Sequence, residues 1–294
     1  MVNGFRFIIG NGCNYNCFYC HHEGVFETKP DENFQNKIDI IKSYCDKHKV
    51  YYLSITGGEP FLYWEKVKYI LDRFNSKQFS FSINTNATLL KNYIDILDTY
   101  KCKIELHINV SSLNENTHAK ISGSNKFEQM INTLESLKKH NLKICLNTIL
   151  LKGINQNEVL QFLEYCDKLN YTLRLLQFLP NNIYQKSLVI SEKDLPQILP
   201  NVEVGEISSY GIFKCKYQNY HFEFVKNLCC DKLCERCKEN TYIHFTPELN
   251  IKNCMLSSEI IYPDYTNLIS FEKIIRGISW ISFLKELMLL GRQL

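Results

Sequence analysis

Residues Gly10 to Gly24 read Gly-Asn-Gly-Cys-Asn-Tyr-Asn-Cys-Phe-Tyr-Cys-His-His-Glu-Gly and follow directly on Phe5 to Ile9, a short apolar run that can form a β-strand. Cys13, Cys17 and Cys20 therefore share one loop in a C-x3-C-x2-C spacing. Thiolates gathered this closely can converge on a soft metal or an iron-sulfur centre, and glycines and asparagines let the backbone wrap around it. Three ligands leave one position open, as catalytic metal sites do and structural ones do not. The spacing alone leaves a zinc site completed by His21 or His22, or a chance grouping of thiols, as alternatives. The cluster is favoured because Cys/His zinc sites usually come as paired C-x2-C units.

Working outward, strand-like and helix-like patterns alternate from residue 5 to residue 180, which favours repeated βα units and a parallel sheet. Phe5 to Ile9 leads to a helix over about Asp31 to Lys49, and Tyr51 to Ile55 to one over Tyr63 to Phe74. Phe79 to Ile83 is followed by Leu90 to Tyr100, and Ile104 to Val110 by Phe127 to Lys139. Lys143 to Leu151 with Glu158 to Leu169 makes the fifth unit, and Thr172 to Phe178 is a sixth strand. Six units are too few for a closed eightfold barrel, so the expected fold is α/β, a partial (β/α)6 TIM-type barrel. Residues 1–180 form that barrel, 181–228 a connector with strand character at His221 to Val225, and 229–294 a small cysteine-rich subdomain with a terminal helix over Phe271 to Leu290.

In parallel α/β folds the chemistry lies at the carboxyl ends of the strands. The cysteine loop follows strand one, Thr56-Gly57-Gly58-Glu59-Pro60 strand two, Asn84-Thr85-Asn86 strand three, Ser111-Ser112 strand four and Lys152-Gly153 strand five. All belong to one rim. Gly57 and Gly58 free the backbone to approach a ligand, Pro60 fixes the exit, and Glu59 falls beside the cysteine loop.

Of 294 residues, 45% are hydrophobic and 13% aromatic, ample for a packed core, and the net charge of +3 gives no reason to expect nucleic acid as a partner. No run of 18 apolar residues and no signal-peptide pattern occurs, so a cytoplasmic protein is expected. Thirteen cysteines in that setting point to metals or redox chemistry rather than disulfides. Cys45, Cys102, Cys145, Cys166 and Cys215 are isolated and read as small buried residues. Cys229, Cys230, Cys234, Cys237 and Cys254 form a second group around a hairpin, Tyr242 to Thr246 with Ile251 to Met255, a common way to build a metal knuckle.

The C-x3-C-x2-C loop with Tyr19 before its last cysteine, together with Gly57-Gly58-Glu59-Pro60 on the next strand end, resembles the radical S-adenosylmethionine (radical SAM) superfamily. That resemblance implies a 4Fe-4S cluster on Cys13, Cys17 and Cys20 whose open iron chelates SAM, with Gly57, Gly58, Glu59 and Pro60 helping to hold its amino group. It further implies homolytic cleavage of SAM to a 5'-deoxyadenosyl radical, hydrogen abstraction from a substrate, and an electron donor such as flavodoxin or ferredoxin. Thr85, Ser111 and Arg174 are expected SAM contacts, Arg174 through the methionine carboxylate.

Within the superfamily the chain is most similar to the GTP 3',8-cyclases of molybdenum cofactor biosynthesis. Asn84 to Leu90, Ile121-Ser122-Gly123 and Lys152 to Asn155 carry the likeness. It implies a second 4Fe-4S cluster on Cys234, Cys237 and Cys254, to which Cys229 or Cys230 could add a ligand, and a substrate-binding Arg6. Two cationic stretches of the cyclases are replaced: Tyr51-Tyr52-Leu53-Ser54 stands where they carry Lys-x-Arg-x, and Tyr242 and His244 stand where they carry Asn-Arg-x-Arg. Charge-assisted bonds to phosphate are worth about 1.5 to 3 kcal/mol each. Their loss points away from GTP, towards a peptide or another nucleotide, with Arg6, Tyr242 and His244 as substrate contacts.

Overall fold

A computed structural model describes residues 2–22, 31–180, 182–227, 242–252 and 259–278. The six expected strands are β1 (Gly4–Ile8), β2 (Tyr52–Thr56), β3 (Ser80–Thr85), β4 (Lys103–Asn109), β5 (Lys143–Leu150) and β6 (Thr172–Gln177). They lie side by side in chain order, all parallel. Alternation sorts their side chains between two faces. In β4, Ile104, Leu106 and Ile108 enter the helix-covered core, whereas Glu105, His107 and Asn109 take the opposite, inner face.

The helices cover one face because their apolar residues recur at three- and four-residue intervals. Helix α1 (Phe34–His48) buries Phe34, Ile38, Ile41 and Cys45, and α2 (Trp64–Arg73) buries Val67, Ile70 and Leu71. The helix expected over Leu90 to Tyr100 is shorter: a 3-10 turn at Leu90–Asn92, then α3 (Ile94–Leu97). Tyr93 interrupts it at φ −127°, its ring stacked 4.3 Å from Trp64. Helix α4 (Glu115–Ser122) lacks an apolar stripe but is marked by its ends, where the Asn114 side chain accepts from Thr117 N–H and Gly123 takes φ +62°. Helices α5 (Phe127–Leu137) and α6 (Val159–Leu169) stand where the periodicity predicts them.

Residues 181–228 hold more sheet than the expected connector. β7 (Glu203–Ile207), β8 (Ile212–Tyr217) and β9 (Tyr220–Val225) form an antiparallel meander, and β9 runs parallel to β6. Their period-two burial, Phe213 with Cys215 and Phe222 with Phe224, places them on the same core. The predicted hairpin is present as β10 (Tyr242–Phe245) and β11 (Ile251–Lys252), and β10 pairs parallel with β1. One sheet therefore runs β11-β10-β1-β2-β3-β4-β5-β6-β9-β8-β7, with eight successive parallel strands from β10 to β9. Residues 268–278 are the described part of the terminal helix, burying Phe271 and Ile275. No helix among the described residues is long and apolar enough to cross a membrane.

Candidate active site

The cysteine loop leaves β1 and is held from three sides. Beneath it, Asn16 N–H donates to Ser122 O at 2.8 Å and Phe18 N–H to Ile121 O at 3.2 Å, so the end of α4 carries the loop backbone. Tyr15 and His118 of α4 are both buried, with Tyr15 Oη 3.3 Å from His118 Nε2. From β2, Gly58 N–H donates to Gly10 O and Glu59 N–H to Gly12 O, each at 2.9 Å. The Tyr63 hydroxyl accepts from Gly12 N–H at 2.8 Å. Gly57 at φ +142° adopts backbone that side-chain-bearing residues rarely take, and a Cβ there would stand 2.5 Å from Gly10 O. A Cβ on Gly58 would strike Gly12 O. The two loops are cradled that closely.

Glu59 is fully buried, and its carboxylate is turned inward rather than onto the rim. Oε1 accepts from the Thr85 hydroxyl at 2.8 Å and Phe61 N–H at 3.1 Å, and Oε2 from Asn86 N–H at 2.8 Å. Burial raises its pKa to about 7 even though all three donors pull the other way. Glu59 and Thr85, both expected to touch SAM, thus form a brace between the loops after β2 and β3. Pro60 opens the 3-10 turn Pro60–Tyr63 that Glu59 caps. Asn86 completes the link, donating to Asn14 Oδ1 at 2.7 Å and lying 3.9 Å from Cys13 Sγ.

None of the three thiols is in a disulfide; Cys13 and Cys20 are exposed and Cys17 is half-buried. Tyr15 N–H points at Cys13 Sγ at 3.4 Å and His22 N–H at Cys20 Sγ at 3.3 Å, donors that favour thiolate over thiol. Burial raises Cys13 and pushes Cys17 up to about 12, so a metal centre must supply the charge that deprotonates them. His21 is engaged elsewhere, its Nε2 2.9 Å from Leu179 O. A single tetrahedral ion about 2.3 Å from each sulfur would draw its sulfurs to about 3.8 Å of one another. Among the described residues, the one set of three His, Cys, Asp or Glu side chains with ligand atoms all within 4.8 Å is Glu105, His107 and Cys145, so the loop sulfurs spread more widely. That spread and the N–H···S donors fit a polynuclear cluster better than zinc.

The remaining predicted residues line the inner face or the rim. Ser111 is buried, its Oγ 3.4 Å from the Tyr19 hydroxyl, which also meets the Asn109 amide. Arg174 on β6 pairs with Glu223 on β9, Nε to Oε2 at 2.7 Å, a partner the sequence reading does not contain. Arg6, His244 and Lys252 share one register row across β1, β10 and β11, and Arg6 reaches Thr56 Oγ1 at 3.3 Å. Tyr242 packs edge-on to Tyr52 at 5.8 Å, and Tyr52 donates to Ser82 Oγ at 3.0 Å. Cys229, Cys230, Cys234, Cys237 and Cys254 lie outside the described residues. Sequence reasoning missed Tyr63, His118 and Glu223, which carry no motif; Asn86, inside the quoted Asn-Thr-Asn loop, was legible.

A family model described as the radical SAM superfamily matches residues 7–166, just over half of the chain. A GTP 3',8-cyclase of Aliarcobacter butzleri is 30% identical over 184 residues, covering 61% of this chain and 56% of that relative. One of Clostridium botulinum (strain Okra / Type B1) is 25% identical over 271 residues, 88% of this chain and 82% of the relative. Among solved structures, Streptococcus suis SuiB bound to precursor peptide SuiA has a TM-score of 0.67 at 13% identity, covering 92% of this chain and 64% of SuiB. Native anSMEcpe with bound AdoMet has a TM-score of 0.56 at 13% identity, covering 87% and 76%. At such identities the solved structures speak to the fold alone.

Proposed function

The chain belongs to the radical SAM superfamily, and from that premise we propose that it is a radical SAM enzyme whose substrate, a peptide or a small molecule other than GTP, enters the inner face of the sheet. The superfamily implies a 4Fe-4S cluster and SAM, and Cys13, Cys17 and Cys20 are the residues that would hold the cluster. When bound, the cluster supplies the electron that splits SAM into methionine and a 5'-deoxyadenosyl radical. The observation that carries this reading is the double backbone clamp, Gly58 N–H to Gly10 O and Glu59 N–H to Gly12 O, which ties three partly open thiols to the glycine loop.

The chain's own groups have definable tasks. The Glu59, Thr85 and Asn86 brace keeps the rim loops in register. Tyr19 and Phe178, packed with Ile121 and Leu151, close the far side of the loop and exclude water there. Arg174, neutralised by Glu223, orients polar groups on the inner wall without adding net charge. Cys234, Cys237 and Cys254 would hold a second 4Fe-4S cluster, a reading that rests on the likeness to the GTP 3',8-cyclases. Anaerobic reconstitution should give about eight irons per chain; about four would leave one cluster only. Cys17→Ala should abolish SAM cleavage, whereas Cys237→Ala should keep cleavage and lose product.

The substrate reading rests on the inner face of β2. Tyr52 and Ser54 stand there in place of cations, with Tyr52 against Tyr242, so β2 itself offers a triphosphate no cationic donor; Arg6, in register with Ser54, is a neighbouring cation on β1. A second reading is the GTP 3',8-cyclase activity named for the curated relatives, favoured by 25% identity over 88% of this chain. Incubation with GTP, SAM and a reductant, followed by mass analysis, separates them. A cyclised nucleotide would overturn the first reading, and uncoupled 5'-deoxyadenosine without it would overturn the second.

A further inference from the structure

On the inner face, Glu105 and His107 project from the same side of β4, and His107 stands in register with Cys145 of β5. Cys45, Cys102, Cys166 and Cys215 belong to the hydrophobic core, whereas Cys145, though fully buried, does not. We propose that Glu105, His107 and Cys145 form a mononuclear metal site for a zinc-class divalent cation, with its remaining coordination position open.

The donor set is one imidazole, one carboxylate and one thiolate, the mixture that borderline-soft cations take, and three protein ligands mark open sites. All three ligand atoms lie within 4.8 Å of one another. His107 Nε2 and Glu105 Oε1 are 3.5 Å apart. That is longer than an ordinary hydrogen bond of about 2.7 to 3.2 Å. It is close to the roughly 3.4 Å that separates two ligands bound at about 2.0 to 2.1 Å with a tetrahedral angle. The carboxylate is already divided: Oε1 faces His107, while Oε2 takes Lys143 Nζ at 3.1 Å, an outer partner that orients a ligand oxygen. Lys143 and Glu105 also line a cavity of about 490 Å³ with Tyr52, Ser80 and Lys103, which gives a cation a route to Glu105 from the amino ends of β3 to β5. Binding is a proton-releasing exchange: Cys145 S–H loses its proton to solvent as the metal–sulfur bond forms, with no change of oxidation state. Burial pushes the Cys145 thiol up to about 11 although Arg174 pulls the other way, so the incoming cation must drive that deprotonation.

The site stands independently of the radical SAM reading and is tested with zinc alone. Iron-loaded enzyme, equilibrated anaerobically with one equivalent of Zn2+ and desalted, should retain about one zinc per chain. Zinc-edge X-ray absorption should show one sulfur at about 2.3 Å with nitrogen and oxygen at about 2.0 to 2.2 Å. Cys145→Ser should remove the sulfur, and Glu105→Gln should weaken zinc at least about tenfold, the loss that even an outer partner produces. Unchanged iron content and melting would show that the variants fold. No retained zinc, a shell with two or more sulfurs, or a one-sulfur shell that survives in Cys145→Ser overturns the proposal. Should the variants not fold, the wild-type shell decides alone: one sulfur supports the site, and any other number rejects it.

Discussion

A carboxylate closed off from water is unstable unless its neighbours answer the charge, and Glu59 is closed off completely. Its pKa rises from 4.5 to about 7. Below 4.5 the folded and unfolded chains both hold the proton; between 4.5 and about 7 the unfolded chain has lost it and the folded chain keeps it. Stability from this group therefore declines as pH rises through that window, by about 3 kcal/mol at most, and is level above it. The difference in unfolding free energy between wild type and Glu59→Gln, measured from pH 4.5 to 8, should show that decline; a flat difference would refute it. Gly57→Ala tests the neighbouring backbone. At φ +142°, with Gly10 O 2.5 Å from the new methyl, it should lose about 1 to 3 kcal/mol and bind less iron on reconstitution. Iron assay beside a melting curve checks both. The need for glycine was readable in the motif, but the inward turn of Glu59 was not, because its partners Thr85 and Asn86 come from the next strand end.

Among the elements, α4 does most to position the cysteine loop, and its sequence gave it no amphipathic stripe. It buries His118, Ile121 and Ser122, and its last turn takes the Asn16 and Phe18 amides of the loop. Its start depends on Asn114, whose side chain accepts from Thr117 N–H at 3.1 Å. Asn114→Ala should destabilise the helix by about 1 kcal/mol. Hydrogen exchange at Asn16 and Phe18 should accelerate together with that at the α4 amides. Faster exchange in α4 with unchanged rates at Asn16 and Phe18 would show that the loop does not depend on the helix. β7 and β8 were similarly hidden, since a meander whose outer face carries Glu203, Glu206, Lys214 and Lys216 offers only brief apolar alternation.

At the scale of the molecule, β10 brings residues near the end of the chain against β1, which carries the cysteine loop. Phe245 is fully buried, with ring centroids 5.2 Å from Phe5 and 5.3 Å from Phe7. Phe245→Ala should lower stability by about 3 to 5 kcal/mol and shift a single unfolding transition. A separate early transition for the C-terminal segment would mean that it folds as its own unit. The sequence by itself determined the alternation of strands and helices and the residue types on the rim, because periodicity, glycine placement and cysteine spacing are properties of neighbours in the chain. Only the tertiary structure decided that Arg174 answers Glu223, that Glu59 clasps Thr85 and Asn86, that β10 lies beside β1, and that Glu105, His107 and Cys145 converge. Each of these joins strands distant in sequence through pairing and register, which no local pattern specifies.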